Sequence, residues 1–227
     1  MDINMVWVPL ESNPEFIHTL GVPKSWSIVD VYGLEPDLLA LVPKPVAAVI
    51  LLYPVLVKND APEEVPKEEP EEEATDSDKS VYHIKQYVSN ACGTIAIIHS
   101  VANNLDRIEL QDGFLKKFLE ETKDLSFCER GKRLLNSNEI SELHGESAME
   151  GQTKAPDVSV PVNHHFVALV HKNGTLYELD GRKSALIEHG PTTPEKFLED
   201  AARVCKEYMA RDPEEVGFTV VAMAQTD

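Results

Sequence analysis

The chain has few cysteines and no long apolar run. Its 227 residues include only Cys92, Cys128 and Cys205. An odd number at wide spacing argues against a disulfide scaffold and favours a reducing, cytoplasmic compartment. The longest apolar stretch, Pro45–Val55, falls short of the ~18 residues that a membrane-spanning helix needs. The N-terminal MDINMVW lacks the basic and then apolar pattern of a secretion signal, so we expect neither a membrane protein nor a secreted one.

Basic residues are also scarce, with 21 Lys and Arg against 39 Asp and Glu and a formal net charge of −18. Residues 60–79 hold ten acids and two bases, which is −8 of that total and leaves −10 for the remainder. An acidic body argues against nucleic acid as a partner. It favours a basic protein or a basic peptide tail, whose approach long-range attraction would accelerate. Acidity that serves only solubility is the alternative.

The apolar patterns predict a mixture of helices and strands without strict alternation, which is typical of an α+β fold. Helices are predicted over Ser12–Gly21, 35–43, Ala91–Leu105, 112–122, 126–145 and 192–213. Strands are predicted over Ser25–Leu34, 46–54 and 217–224, with a further hairpin near residue 173. The strand at 46–54 is apolar on both faces and should be buried. The helix at 91–105 is apolar on most sides and should lie in the middle of the fold.

Two segments interrupt this pattern. Lys58–Ser80 is rich in Glu and Pro with almost nothing to bury, so we interpret it as a flexible acidic insertion. Residues 146–162 have no sustained period, and a loop of this length in a compact chain is often a lid or a binding loop. Only about 57 residues precede the insertion, which is few for an independent core. We therefore expect one domain over residues 1–227.

Asn163–Lys183 reads NHHFVALVHKNGTLYELDGRK and predicts a β-hairpin. Asn-Gly, here at residues 173–174, is the strongest short-range hairpin signal because both residues accept a positive φ. A two-residue loop at this point sets Lys172 opposite Thr175. The register of the whole hairpin follows from that pair.

This register distinguishes two adjacent histidines. Counting outward from the loop sets Val167 opposite Asp180, and His165 shares a face with Val167. Asp180 and His165 are then diagonal neighbours about 7–8 Å apart at Cα, whereas His164 points to the opposite face. A one-residue slip would exchange the histidines. The selected pair is either a structural His–Asp contact or two members of a nucleophilic triad.

Cys92 is the candidate third member. In SNACGT it stands at the start of the predicted central helix, with Ser89 or Asn90 available as a cap. A helix N-terminus and a nearby imidazolium both lower a thiol pKa, and a thiolate–imidazolium pair is the attacking form in cysteine hydrolases. A small buried hydrophobe is the alternative role, and it is our interpretation of Cys128 and Cys205.

Gln86 lies six residues before Cys92 in an extended segment. Its amide could donate to an oxyanion together with the Cys92 backbone N–H. The adjacent histidines could instead suggest a metal. However, neither Cys-x-x-Cys nor His-x-x-x-His spacing occurs, and strand neighbours point apart. We therefore expect no metal and no cofactor.

Seven stretches from Trp7 to the last strand form a recognisable set. They read WVPLESNP, SIVDVYGL, AVILLYP, IKQYVSNACGTIAIIHSVANN, EGQTKAP, HFVALVHKNGTLYELDGRK and ARDPEEVGF. This set resembles the ubiquitin carboxyl-terminal hydrolases, which are cysteine deubiquitinases, and is closest to the short, single-domain members. The resemblance implies a papain-like core with a knotted backbone and a mostly antiparallel central sheet flanked by helices on both sides. It also implies that residues 146–162 form a crossover loop over the active site.

The resemblance further implies a role for each motif position. Cys92 matches the nucleophile, His165 the general base, Asp180 its orienting acid and Gln86 the oxyanion-hole glutamine. Sixteen positions match segments that contact ubiquitin in the family: Pro9, Leu10, Glu11, Ser12, Asn13, Pro14, Ala148, Met149, Glu150, Gly151, Gln152, Thr153, Glu215, Val216, Gly217 and Phe218.

The resulting expectation is a cytoplasmic, monomeric thiol hydrolase that cleaves adducts after the C-terminal glycine of ubiquitin, with NEDD8 as a second candidate modifier. Two alternatives stay open. One is a ubiquitin-binding adaptor without significant turnover. The other is a papain-type peptidase or acyltransferase with a different substrate.

Overall fold

The structure is a computed structural model and describes residues 7–8, 14–55, 80–149 and 163–226. Of the predicted acidic insertion, Lys58–Ser80, all but Ser80 lies outside the described residues. The same is true of the predicted crossover loop from residue 150 onward and of residues 9–13. Among the described parts, no helix is both long and apolar enough to cross a membrane.

Six strands form one sheet in which every neighbouring pair is antiparallel, in the order β1-β6-β2-β3-β4-β5. Their bounds are β1 Trp26–Asp30, β2 Val46–Pro54, β3 His164–Lys172, β4 Thr175–Leu179, β5 Ile187–Pro191 and β6 Thr219–Gln225. The predicted antiparallel sheet is confirmed. β5 was not predicted. It is an edge strand that ends at a proline, a position where proline is tolerated.

Seven helices are seen in the described ranges: α1 Phe16–Thr19, α2 Pro36–Leu39, α3 Cys92–Ala102, α4 Phe114–Thr122, α5 Phe127–Leu135, α6 Asn138–Met149 and α7 Phe197–Met209. α5 begins at a capping box, in which the Ser126 hydroxyl accepts from the Glu129 N–H and the Glu129 carboxylate accepts from the Ser126 N–H. Both interactions satisfy donors that a helix start leaves free.

Several predicted helix bounds were wrong. In the described residues, the helices predicted over Ser12–Gly21 and 35–43 are only Phe16–Thr19 and Pro36–Leu39. The helix predicted over 126–145 is two helices, α5 and α6, which are separated by the non-helical residues Asn136 and Ser137. α6 then continues to Met149, so the first four residues of the predicted 146–162 loop are helical. The helix predicted from residue 192 begins only at Phe197, although the Thr193 carbonyl accepts from the Phe197 N–H at 2.8 Å.

Helices cover both faces of the sheet, as predicted. α3 packs against one face, which includes Ile50 and Val170, and residues 92–101 of α3 are all buried. α7 packs against the other face, which includes Leu51 and Leu169. β2 is buried on both sides for this reason. The first residue of α3 lies at the end of the sheet where β3 begins, since Cys92 interacts with His165 and Phe166. The knotted path of the backbone stays a prediction.

Candidate active site

The Asn-Gly hairpin has the predicted register. Lys172 pairs with Thr175 and Ala168 pairs with Leu179, which places the residue after Leu179 opposite Val167. Asn173 and Gly174 both have positive φ, at 50° and 83°, the backbone that a two-residue loop of this kind requires. The side-chain face predicted for His165 is therefore confirmed.

His165 and Asp180 form a buried pair. His165 Nε2 lies 2.7 Å from Asp180 Oδ1, and the two side chains are 1% and 3% exposed. The Arg182 backbone N–H also donates to Asp180 Oδ1, at 2.9 Å. Burial opposes the charge on Asp180, but these hydrogen bonds outweigh it and lower the pKa of the carboxyl to about 2. Asp180 is thus an anion that fixes the imidazole in one orientation.

Cys92 is the first residue of α3 and its side chain is buried. Burial raises the pKa of the thiol, but the interaction with His165 and the Phe166 backbone outweighs burial, so the net pKa is lowered. Burial likewise lowers the pKa of His165, but Asp180 and Cys92 outweigh it and raise that pKa to about 8. Among the described residues, none makes an aligned hydrogen bond with His165 Nδ1.

The predicted cap of α3 was wrong. Ala91 occupies the cap position and no side chain caps the helix. Asn90 instead adopts a positive φ of 64°, and its side-chain amide donates to the Trp7 carbonyl at 3.0 Å. The loop before Cys92 is therefore held by the N-terminal segment rather than by the helix it precedes.

Gln86 lies in an extended segment that runs beside the loop after Asp180. Its backbone N–H donates to the Gly181 carbonyl at 2.7 Å. Its side-chain Nε2 donates to the Val88 carbonyl at 3.0 Å, and Oε1 is buried without a partner among the described residues. A Cβ added to Gly181 would lie 3.0 Å from Gln86 Cβ, so any larger residue there would push the two segments apart by a few tenths of an ångström.

His83 also supports Asp180, and sequence reasoning missed it. Its Nε2 donates to the Asp180 carbonyl at 3.0 Å, and its ring stacks on Phe127 with the centroids 5.4 Å apart. Both contacts join residues distant in the sequence. The only local signal was a histidine between Tyr82 and Ile84 in an extended segment.

His164 lies beside the chain segment that precedes β6. A Cβ added to Gly217 would lie 3.0 Å from His164 Nε2 and 3.0 Å from Glu215 Oε1. The Glu215 carboxylate accepts from the backbone N–H groups of Val216 and Gly217 at 2.8 and 2.7 Å. This turn presents Val216 to solvent with 89% of its surface exposed.

The other positions matched to ubiquitin contacts fall into three groups. Pro9–Asn13 and Glu150–Thr153 lie outside the described residues. Pro14 is exposed, and Met149 is 73% exposed at the end of α6. Ala148 is buried at 4%, and Phe218 is partly buried against the core on the α7 face of the sheet. Among the described residues, no group of three or more His, Cys, Asp or Glu side chains is arranged to hold a metal ion.

Comparison with known proteins identifies the family to which the chain belongs. The sequence profile of "Ubiquitin carboxyl-terminal hydrolase, family 1" matches residues 7–210. The chain belongs to this family of cysteine peptidases. Its class as an enzyme follows from that membership.

Relatives within this family align over nearly the whole chain. A ubiquitin carboxyl-terminal hydrolase of Drosophila melanogaster is 50% identical over 231 residues, which cover 96% of this chain and 97% of the relative. Isozyme L1 of Rattus norvegicus is 40% identical over 223 residues, with 96% and 97% covered. Among solved structures, the Trichinella spiralis UCH37 catalytic domain bound to ubiquitin vinyl methyl ester aligns with a TM-score of 0.76 at 27% identity, covering 97% and 96% of the two chains.

Proposed function

We propose that this hydrolase cleaves amide, ester or peptide bonds after the C-terminal glycine of ubiquitin, with Cys92 as its nucleophile. The observation that carries the proposal is the buried His165–Asp180 pair beside a thiol of lowered pKa at a helix start. The relatives' names give the substrate class. NEDD8 is a second candidate substrate.

Each proposed role follows from the chemistry of the group. The Cys92 thiolate attacks the carbonyl carbon of the terminal glycine and forms a tetrahedral oxyanion. The imidazolium of His165 then protonates the leaving group while the C–N or C–O bond breaks. In the second half, His165 removes a proton from water, which attacks the thioester and releases the free carboxyl group. Asp180 stabilises the imidazolium throughout.

Gln86 is the proposed side-chain donor to the oxyanion. Its Nε2 carries two hydrogens and uses one of them for the Val88 carbonyl, which leaves the other for a substrate oxygen. The hydrogen bond from its own backbone to Gly181 fixes the segment against the Asp180 loop. A donor held in place before the reaction does not have to reorganise as charge develops.

The acidic surface supports a substrate with a basic tail. A net charge of −18 attracts cationic partners over distances of about a Debye length, ~8–10 Å at physiological salt. The segments at residues 9–14, 148–153 and 215–218 are the proposed contacts with ubiquitin. Of these, Val216 and Met149 are large apolar side chains that are exposed in the described structure.

A panel of C-terminal fluorogenic amides tests the proposal. The substrates are ubiquitin, NEDD8 and a short peptide ending in Gly-Gly. We expect kcat/KM for ubiquitin to exceed that for the peptide by a large factor, because binding energy from the folded body is used at the reacting bond. Binding of ubiquitin without turnover would instead indicate an adaptor, and equal rates on the peptide a general papain-type peptidase.

Asp180→Asn is expected to move the alkaline limb of the pH profile to lower pH. Asp180 helps to raise the pKa of His165 to about 8, and the imidazolium is lost as the pH rises through that value. Asparagine removes the negative charge, so the pKa of His165 falls and activity is lost at a lower pH. The kcat/KM maximum should also drop by about 10²-fold or more, because the ring is no longer held in its productive orientation.

The profile of kcat/KM against pH reports the ionisations of the free enzyme. Glu188→Gln is the matched control, since it removes one carboxylate from an exposed site on β5. Its alkaline limb should coincide with that of the wild type. An unmoved limb in Asp180→Asn would show that Asp180 does not set the ionisation of His165.

A further inference from the structure

His144 is a buried histidine that the mechanism above does not use. It lies on α6 and is 1% exposed. Its Nε2 lies 2.6 Å from the Val8 carbonyl and its Nδ1 lies 2.7 Å from the Thr94 hydroxyl. A carbonyl only accepts, so Nε2 carries the proton, and Nδ1 accepts from Thr94. Burial lowers the pKa of His144, which favours this neutral form. Both ring nitrogens are therefore used, each toward a different segment of the chain.

The Val8 contact belongs to a wider attachment of the N-terminal segment. The Trp7 ring packs on His144 with centroids 4.5 Å apart. The Trp7 backbone N–H donates to the Ser89 carbonyl at 3.0 Å, and Asn90 Nδ2 donates to the Trp7 carbonyl at 3.0 Å. Trp7 and Val8 are thus held on one side by α6 and on the other by the loop that leads into Cys92.

The Thr94 contact reaches the nucleophile helix itself. Thr94 is fully buried in the first turn of α3, two residues after Cys92. One imidazole therefore bridges three elements: the N-terminal segment, α6 and the turn that carries the nucleophile. Two of these elements continue directly into proposed ubiquitin-contacting segments, since residue 9 follows Val8 and residue 150 follows Met149.

We infer that His144 is a positioning residue for the proposed reaction. It fixes Val8 and α6 in relation to Cys92, and the proposed ubiquitin contacts follow these two elements in the sequence, so that bound ubiquitin presents its terminal carbonyl at the thiolate. The inference rests on the proposed function. We expect no effect of His144 on the intrinsic reactivity of Cys92, because its hydrogen bonds and ring contact within the described residues involve Val8, Thr94 and Trp7. Misplacement of reacting groups by about 1 Å can cost about 10²-fold in rate.

Three substitutions separate the two bonds of the bridge. His144→Leu removes both, Thr94→Val removes only the hydroxyl, and His144→Gln keeps an Nε2 donor for the Val8 carbonyl. Two rates are measured for each variant: kcat/KM on the ubiquitin amide, and alkylation of Cys92 by iodoacetamide. We expect His144→Leu to lose about 10- to 100-fold in the first rate with little change in the second. Thr94→Val should show a smaller loss of the same kind, and His144→Gln should recover most of the His144→Leu loss.

Leu198→Ala is the control for stability alone. Leu198 is buried on α7 at the opposite face of the sheet, and a large-to-small core change there lowers the thermal midpoint without touching the bridge. It should leave both rates nearly unchanged below its midpoint. A purely structural role for His144 would lower both of its rates together, or leave both unchanged, and either result overturns the inference. If His144→Leu fails to fold, Thr94→Val and His144→Gln still carry the test.

Turnover of the ubiquitin amide also distinguishes failure of the proposed function from failure of the proposed role of His144. A wild-type chain that does not turn it over contradicts the proposed function. A wild-type chain that turns it over at the same kcat/KM as Thr94→Val and His144→Leu contradicts only the role of His144.

Discussion

Cys92→Ala is expected to abolish hydrolysis of the ubiquitin amide, with a loss in kcat of about 10⁴–10⁶. Without the sulfur, no acyl-enzyme can form, and His165 has no nucleophile to pair with. Binding of ubiquitin should persist, because its proposed contacts lie in other segments. The measurement is steady-state turnover of the fluorogenic amide, with ubiquitin affinity determined in parallel on the same protein.

The two other cysteines provide matched controls. Burial raises the pKa of Cys205 to about 12, so it stays a thiol at neutral pH and acts as a core side chain of α7. Cys128 is partly exposed on α5. Cys128→Ala and Cys205→Ala should both leave kcat nearly unchanged. Substantial turnover by Cys92→Ala, or a comparable loss in either control, would identify a different nucleophile.

His165→Ala and His164→Ala should differ by orders of magnitude although the residues are adjacent. His165 is paired with Asp180 and interacts with Cys92, so its loss should lower kcat by roughly 10²–10⁴, the usual contribution of a general acid–base group. His164 has its imidazole beside Gly217 and Glu215. Its loss should therefore act on KM, through the Glu215–Gly217 turn, and leave kcat close to that of the wild type.

Full kinetics at saturating ubiquitin amide separate these outcomes. Circular dichroism of both variants should match the wild type, since neither substitution removes a residue of the main apolar core. Equal losses in kcat would contradict the assignment of roles. A loss confined to His164→Ala would mean that the catalytic face of β3 is the other one.

The hairpin shows how much of the candidate site local sequence patterns can predict. The Asn-Gly turn fixes its own backbone, and a side-chain period of two then determines which histidine meets Asp180. β2 and α3 were predictable for a related reason: their apolar residues cover all faces, and only the centre of the fold accepts such elements. The proximity of Cys92, His165 and Asp180 follows from these elements, because the start of α3 interacts with the start of β3.

The remainder depends on contacts that no local pattern contains. The break between α5 and α6 interrupts a continuous amphipathic pattern, although Asn136-Ser137-Asn138 in hindsight has the cap-type residues of a helix boundary. β5 is short and half exposed, so it lacks an apolar face to detect. His83 and His144 each connect residues about 50 to 140 positions apart, and their partners become visible only when the chain is folded.

The prediction of an Asn90 or Ser89 cap for α3 was wrong for a similar physical reason. Asn90 is a good capping residue in isolation, but here its amide satisfies the Trp7 carbonyl instead. A tertiary hydrogen bond has replaced the local one. The consequence is that the loop before Cys92 depends on Trp7 for its conformation, a dependence that the sequence pattern did not predict.

The most direct test of the central claim is covalent capture by ubiquitin vinyl methyl ester. Intact-mass analysis should show one ubiquitin per chain, and peptide mapping should place the thioether at Cys92, with no adduct in Cys92→Ala and slow capture in His165→Ala. Absence of an adduct with the wild-type chain, or attachment at Cys128 or Cys205, would contradict the claim that Cys92 attacks the C-terminus of ubiquitin.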